Sequence, residues 1–349
     1  LMQTESPTHL PDDISLSVRH LIKNFTVGGR WYSNKNEKIV SAVADISFDI
    51  QRGTTMGLVG ESGCGKSTTA RCILRLIDPT SGSVLFRANK DATKIIDVMA
   101  ESPEGLRQLR QNMQIVFQDP FASLNPRMTA GRTIEELLIV NTNMSRAERN
   151  DRVLNLLDLV GLESIHAKRF PHEFSGGQRQ RIGVARALAL KPSFVVCDEP
   201  VSALDVSIQA QVLNLLSDLQ QEFGLTYLFI THDLAVVRQI CDDVAVMYLG
   251  KIVEHSPVEK LFAEPMHPYT QALVSAAPIP NPLKQRERSR ILLEGDVPSP
   301  IDPPSGCRFQ SRCPVGRTEK KCLDAEPPLT VVNGTHRVAC HFPDVRSVI

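Results

Sequence analysis

An α/β fold is predicted, with a strand-loop-helix core, an antiparallel sheet ahead of it, a mainly helical insertion and a small cysteine-rich extension. Three observations predict it. The apolar run 55–59 leads into Gly60-Glu61-Ser62-Gly63-Cys64-Gly65-Lys66-Ser67 and then into helix-compatible residues 68–74. That is the pattern G-x-x-x-x-G-K-[ST] in the setting a phosphate-binding loop requires. A second apolar run, 194–197, delivers Asp198 and Glu199 at its C-terminal end, the edge at which open α/β sheets bind ligands. Ile14, Leu16 and Val18, and again Ile46, Phe48 and Ile50, alternate with polar neighbours, the period of half-buried strands.

Taken in order, the two alternating segments are joined through 28–36, a polar, glycine-containing stretch that reads as a long hairpin loop. Beyond the loop helix, Pro79-Thr80-Ser81-Gly82-Ser83 is a turn, 84–86 a strand, 106–112 a helix and 113–117 a buried strand that Pro120 stops. Residues 119–175 are expected to form a mainly helical insertion. Within it Ser145 and Glu148 make a capping box, and Val153, Leu156, Leu157 and Val160 keep helical spacing up to Gly161. Ser175-Gly176-Gly177-Gln178 leads into a helix over 179–190, stopped at Lys191-Pro192. A helix over 208–223, ended by Gly224, precedes a strand over 226–230 that delivers Thr231-His232-Asp233. Residues 244–248 and 251–254 form a hairpin around Leu249-Gly250. Ten of the 23 prolines fall between 257 and 304. That stretch is expected to hold no continuous helix or central strand and to run as a surface linker to the tail, 305–349.

At 349 residues the chain has room for one large core with an appendage, or for two domains. Its 39 Lys+Arg equal its 39 Asp+Glu, so there is no electrostatic reason to expect general nucleic-acid or anionic-membrane binding. No run reaches the ~18 apolar residues of a membrane span, so work at a membrane would rely on other chains for the spanning. Residues 1–11 lack a basic n-region and an apolar h-region, so no secretory signal is expected and a cytosolic protein is. The eight cysteines then face a reducing compartment, where metal or cluster ligation gains weight over disulfides.

A phosphate loop followed, well over a hundred residues later, by an apolar strand ending in an aspartate is the minimum of a P-loop nucleoside triphosphatase. Glycines let successive N–H groups wrap an anion at a helix N-terminus. Lys66 reaches the β- and γ-phosphates and the Ser67 hydroxyl sits on Mg²⁺. Asp198 holds Mg²⁺ through water, and Glu199, one residue on, is placed to polarise a water for in-line attack. Ser175-Gly176-Gly177-Gln178 offers a second anion site, a hydroxyl and glycine N–H groups at a helix N-terminus.

Residues 60–67, Gln118, 175–178, Asp198-Glu199, Ser202-Ala203-Leu204-Asp205 and His232, in this order, closely resemble the nucleotide-binding domains of ABC transporters, over residues 14–256. The resemblance implies a RecA-like P-loop core with an antiparallel β subdomain and a helical subdomain. It implies a head-to-tail dimer with ATP between Lys66 of one protomer and Ser175 of the other. Catalytic roles fall to Glu199, to His232 on the γ-phosphate, and to Gln118 on Mg²⁺ and the attacking water. Nucleotide contacts fall to Gly60, Glu61, Ser62, Gly63, Cys64, Gly65, Lys66, Ser67 and Thr68, with Ser175, Gly176, Gly177 and Gln178 on the partner's nucleotide and Asp205 at the dimer contact. The adenine-stacking aromatic is Phe25, with Trp31 or Tyr32 as alternatives.

The runs 118–126 and 264–270 and the tail are similar to the ATPase subunits of dipeptide and oligopeptide importers. This implies a second related ATPase, usually in a heterodimer, two membrane permease subunits and an extracellular or periplasmic peptide-binding protein, with the ATPase at the cytoplasmic face of the membrane and no nucleic-acid partner. Nickel and some sugar importers use similar ATPases. Soluble ABC ATPases act on DNA or ribosomes, but those usually carry two nucleotide domains or long insertions, and here there is one domain without net basic charge. A metal-sensing regulator built around the tail would leave 175–178 unexplained.

Cys307, Cys313, Cys322 and Cys340 place four thiols within 34 residues, which argues for a metal-type centre. Spacing alone does not choose between Zn²⁺ on four thiolates and an iron-sulfur cluster. The resemblance of the tail to that of peptide-importer ATPases implies a structural [4Fe-4S] cluster, with Zn²⁺ the alternative and unligated thiols the third, and with His336 and His341 as substitute ligands of lower rank. Cys64, Cys72, Cys197 and Cys241 read as small buried apolar residues.

Overall fold

The computed structural model describes residues 10–28, 37–88, 94–278 and 290–345. The chain divides into two units: Leu1–Ser17, Asp49–Thr54 and Leu85–Ile230 in the first, and Val18–Phe48, Thr55–Val84 and Thr231–Ile349 in the second. Strands β1 (Ile14–Val27) and β2 (Lys38–Gln51) precede β3 (Thr55–Val59) and helix α1 (Lys66–Ile73), the strand and helix of the phosphate loop. With β4 (Ser81–Arg87) and β5 (Ile95–Asp97), β1 and β2 form a four-stranded sheet in the order β2-β1-β4-β5. The alternation in β2 is as expected, with Ile46, Phe48 and Ile50 buried and Asp45 exposed. The start of β1 departs from it, because Ser15 and Ser17 are buried as well. Small hydroxyl residues let that stretch be covered on both faces. Residues 29–36, most of the expected hairpin loop, lie outside the described residues.

In the first unit, α2 (Pro103–Asn112) precedes β6 (Met113–Val116). The helix starts three residues ahead of the expected 106, because Ser102 accepts the Gly105 N–H and a proline at the first position gives up no helical bond. The insertion holds α3 (Ala130–Asn141), capped by Thr129, and α4 (Arg146–Leu159). The capping box predicted at α4 is formed: the Ser145 N–H donates to Glu148 at 2.6 Å and the Glu148 N–H to the Ser145 hydroxyl at 3.3 Å. Leu138, Leu156 and Leu157 are fully buried, each stabilising the insertion by ~1.5–3 kcal/mol. Then come α5 (Gly176–Ala187), β7 (Phe194–Asp198), α6 (Val206–Phe223) and β8 (Thr226–Thr231). Strands β6, β7 and β8 are parallel neighbours, in register at Met113↔Phe194 and Phe194↔Thr226. β7 is buried along its whole length, whereas β6, with a single strand neighbour, is only half-buried and ends before the exposed Phe117.

In the second unit, α7 (Leu234–Ile240) precedes β9 (Asp243–Tyr248) and β10 (Lys251–Pro257). β3 lies parallel to β9, and β9 antiparallel to β10. The stretch expected to be a linker instead opens with two packed helices, α8 (Val258–Ala263) and α9 (Pro268–Ala276). Leu261, Phe262, Tyr269 and Val274 enter one core with Phe309 and Cys313. Prolines break a helix only from inside; here Pro257 is a cap and Pro268 lies in the first turn, where no N–H is missed. The tail adds α10 (Lys320–Asp324), β11 (Thr330–Asn333) and β12 (His336–Val338), and β12 pairs with β10 at Glu254↔Val338. Glu254, wholly buried, ties these pieces together by accepting the Met266 and His267 N–H groups at 2.8 and 2.9 Å and pairing with His336 Nε2 at 2.7 Å. Among the described residues no helix is long and apolar enough to cross a membrane.

Candidate functional site

The phosphate loop belongs to the second unit, between β3 and α1. A Cβ on Gly60 would stand 2.1 Å from the Met247 carbonyl oxygen, and one on Gly65 (φ 108°) would stand 2.1 Å from that of Ala42. Neither backbone group can rotate away, so both positions demand glycine. Gly65 leaves the N-terminus of α1 without a side-chain cap, so its first N–H groups face the loop. The Lys66 ammonium, almost fully buried, donates to the Gly60 and Glu61 carbonyls at 2.8 and 3.0 Å. The same group can be re-aimed at an anion in the loop.

Ser62 and Gly63 are exposed, and Ser67 and Thr68 are half-buried in the first turn of α1. Cys64, expected to contact nucleotide, has its thiol turned inward under Gly60. Burial, against the pull of Lys66, raises its pKa, so it is a neutral packing group, and its backbone is engaged as well, the N–H donating to the Glu61 carbonyl at 3.3 Å and the carbonyl accepting the Gly250 N–H at 2.8 Å. Glu61 has partners the sequence did not announce: its N–H donates to the Tyr269 hydroxyl at 2.9 Å, and its carboxylate takes both Arg312 amino groups at 2.8 and 3.2 Å. His232 is exposed directly after β8, ahead of the α7 cap Asp233. Phe25 is 37% exposed with Lys23 Nζ 4.9 Å from its ring centre, so it is not packed into the sheet. Trp31 and Tyr32 lie outside the described residues.

In the first unit, parallel pairing of β6 and β7 sets their C-terminal ends side by side. That brings Gln118 and Glu199 together: the Gln118 amide donates to Glu199 Oε2 at 2.9 Å. Asp198 is buried at the end of β7, and Glu199 turns the chain with φ 47° while its N–H donates to the Ile230 carbonyl. A left-handed glutamate is an uncommon backbone state. The loop after Gln118 is held by α5, with Arg186 donating to the Ser123 carbonyl at 2.6 Å and Arg179 lying 5.1 Å from the Phe121 ring centre.

Ser175-Gly176-Gly177-Gln178, the signature turn, do not precede a helix at 179 as expected; they form its cap and first turn. Ser175 caps α5 through a capping box, its hydroxyl accepting the Gln178 N–H at 3.3 Å and its own N–H donating to Gln178 Oε1 at 3.0 Å. The pattern S-x-x-Q carried this signal. Ser175 and Gly176 are exposed, while Gly177 is buried where a Cβ would meet Ile208 Cγ2 at 2.4 Å. Asp205 stands exposed at the start of α6 without a side-chain capping bond.

All eight cysteines carry free thiols. Cys64, Cys72 and Cys197 are buried as expected, but Cys241 is only half-buried. In the tail, the Cys307 N–H donates to the Cys322 carbonyl at 2.8 Å. Burial first, and then the charges that Cys322, Cys340 and Cys313 would carry, push Cys307 up to about 12. Cys340 is pushed up to about 11, again by burial first and then by Cys313 and Cys322. Among the described residues, however, no three His, Cys, Asp or Glu side chains converge as a metal-binding group. His336 and His341 are engaged elsewhere, with Glu254 and with the Ala325 carbonyl.

A glycine loop feeding a lysine-led helix, a buried strand ending in Asp-Glu, and a capped Ser-Gly-Gly-Gln turn define a P-loop ATPase of the ATP-binding cassette class. Residues 43–202 match the family model described as ABC transporter, and residues 253–322 match the one described as oligopeptide/dipeptide transporter, C-terminal region. The chain is 52% identical over 329 residues to a probable peptide ABC transporter ATP-binding protein of Sinorhizobium fredii, covering 94% of this chain and 90% of that one. It is 50% identical over 328 residues to the oligopeptide transport ATP-binding protein AppF of Bacillus subtilis, covering 94% and 97%. A solved dimeric ATP-binding cassette in a post-hydrolysis state with ADP and Pi superposes with a TM-score of 0.60 at 29% identity, over 70% of this chain and 98% of that one. The chain belongs to the ABC transporter ATP-binding proteins of the oligopeptide/dipeptide type, whose activity is ATP hydrolysis coupled to transport.

Proposed function

We propose that this chain powers the import of peptides, as the ATP-hydrolysing subunit of an assembly with two membrane permeases, a second related ATPase and an external peptide-binding protein, and that it works at the cytoplasmic face of the membrane. The observation that carries this reading is identity at the 50% level, over nearly the whole chain, with proteins named for peptide transport, tail included. The nucleotide-binding domain spans 14–256 and the extension 257–349.

In this reading Lys66 and the N–H groups of residues 60–68, that of Glu61 excepted, hold the triphosphate, and Ser67, Asp198 and Gln118 would hold Mg²⁺, which supplies charge neutralisation at the phosphates. Glu199 Oε2, oriented by the Gln118 amide, accepts a proton from the attacking water. His232 contacts the γ-phosphate and Phe25 stacks on adenine. Ser175, Gly176, Gly177, Gln178 and Asp205 serve the nucleotide and the interface of the second ATPase in a head-to-tail pair.

Cys307, Cys313, Cys322 and Cys340 hold a [4Fe-4S] cluster in a structural role. What supports this part is the donor chemistry: four thiols lie in one short tail, and burial together with neighbouring thiols raises the proton affinity of Cys307, Cys322 and Cys340, which a shared cation would relieve. Protein purified without oxygen should carry iron and acid-labile sulfide in equal number and lose both with Cys313→Ser; zinc without sulfide would replace this part of the reading. For the whole, transporter reconstituted from all its subunits should hydrolyse ATP faster when peptide is supplied, and Lys66→Ala should abolish uptake. Stimulation by nickel and not by peptide would overturn the cargo.

A further inference from the structure

Arg312 joins the tail to the phosphate loop. Arg312, 9% exposed, grips both oxygens of Glu61, the residue that follows the first glycine of the loop. The two are 251 residues apart in sequence. Arg312 lies 5.9 Å from the Tyr248 ring centre, and Tyr248 packs on Tyr269 and Phe309 at 4.8 and 5.2 Å. Tyr269 in turn accepts the Glu61 N–H, and the Glu61 carbonyl accepts Lys66. Every polar group of Glu61 is therefore held, its carboxylate by the tail, its N–H by α9 and its carbonyl by the loop lysine.

The charge matters as much as the geometry. A carboxylate on a loop built to receive a triphosphate repels its ligand unless a cation cancels it. A bidentate guanidinium does this in a fixed direction, which a lysine could not reproduce.

We propose that Arg312 is a positioning residue for ATP binding, acting through Glu61: it cancels the carboxylate charge and fixes the first peptide of the phosphate loop, so that the tail sets the loop's affinity for nucleotide. The proposal rests on the ATP-binding activity of the family and is independent of the cargo and of what the cysteines hold.

The test measures MgATP affinity of the full chain with a fluorescent ATP analogue, alongside steady-state kcat and KM for ATP. Arg312→Gln, which uncovers the carboxylate, raises Kd and KM about tenfold, the scale of one uncompensated charge near a protein surface, with kcat changed by less than about twofold. The difference narrows as salt is raised. Glu61→Gln, which leaves the Arg312 charge uncancelled, binds MgATP more tightly than the original, and the doubly substituted chain returns to within about threefold of it. A merely structural contact predicts the opposite, with both single variants weakened and the double no better. An unchanged Kd in Arg312→Gln, or a double variant as weak as Arg312→Gln alone, overturns the proposal. Should Arg312→Gln fail to fold, Glu61→Gln alone decides: with the Arg312 charge left uncancelled, tighter MgATP binding upholds the proposal, and unchanged or weaker binding overturns it.

Discussion

The phosphate loop and the signature turn are both glycine-rich anion sites at helix N-termini, yet they are built in opposite ways. In the loop the side chains are already engaged with the chain's own groups: Lys66 on two carbonyls, Glu61 on Arg312 and Tyr269, the Cys64 thiol packed underneath. In the signature turn Ser175 and Gly176 face solvent, and local bonding amounts to one capping box. One site is assembled before its ligand arrives, and the other is presented. Their glycines differ accordingly, since Gly60 and Gly65 are confined by backbone carbonyls and Gly177 by a side chain of α6.

The sharpest way to break this contrast is at the edge that carries Glu199. Glu199→Gln keeps the Gln118 contact in shape but removes the proton acceptor, so ATP hydrolysis should fall ~10²–10⁴-fold while MgATP affinity is retained. Equal losses of binding and turnover, measured by analogue titration and phosphate release, would move Glu199 into the assembled half.

The next effect lies behind the loop. His267 caps α9 by accepting the Tyr269 N–H at 3.1 Å through Nδ1, so it must be neutral there. Burial, against the pull of Glu254, pushes its pKa down to about 4. The folded chain thus binds fewer protons than the unfolded one between pH 6.5 and 4. Its contribution is complete above about pH 6.5 and is lost as pH falls toward 4, on the order of 3 kcal/mol in all. Denaturant melts across that range should show the loss, and His267→Asn, which keeps a cap without the titration, should flatten it.

The smallest effect separates the two kinds of glycine. Gly177→Ala should cost about 1–3 kcal/mol by overpacking against Ile208, and Ile208→Ala should recover part of it because the obstacle is a side chain. A thermal melt of the pair that shows no recovery would mean that the backbone of α5, and not its neighbour, sets the requirement.

What could be read from the chain alone was what is encoded locally. The phosphate loop is contiguous, the α4 capping box needs only Ser145 and Glu148, and Gly224 ends α6 in the left-handed conformation that glycine favours. The Gln118–Glu199 pairing follows once β6 and β7 are parallel neighbours. The failures have the complementary cause. Pro257 and Pro268 stand at a cap and in a first turn, where proline breaks nothing, so a proline-rich composition hides α8 and α9. β11 is exposed along its length and carries no alternation; its existence depends on β12, and that of β12 on β10. Arg312 and Glu61 have no local pattern at all, because only the folded second unit makes them neighbours.

Shortening this chain to a minimal ATPase meets an obstacle at Glu254. A cut just after β10 would strand that carboxylate without the two amides and the imidazole that now surround it, and would bare the hydrogen-bonding rim that β12 covers. An unmatched interior charge costs several kcal/mol. Tail deletions will therefore register as misfolding before they register as altered turnover, and a trimmed enzyme becomes feasible only if position 254 is redesigned along with the cut.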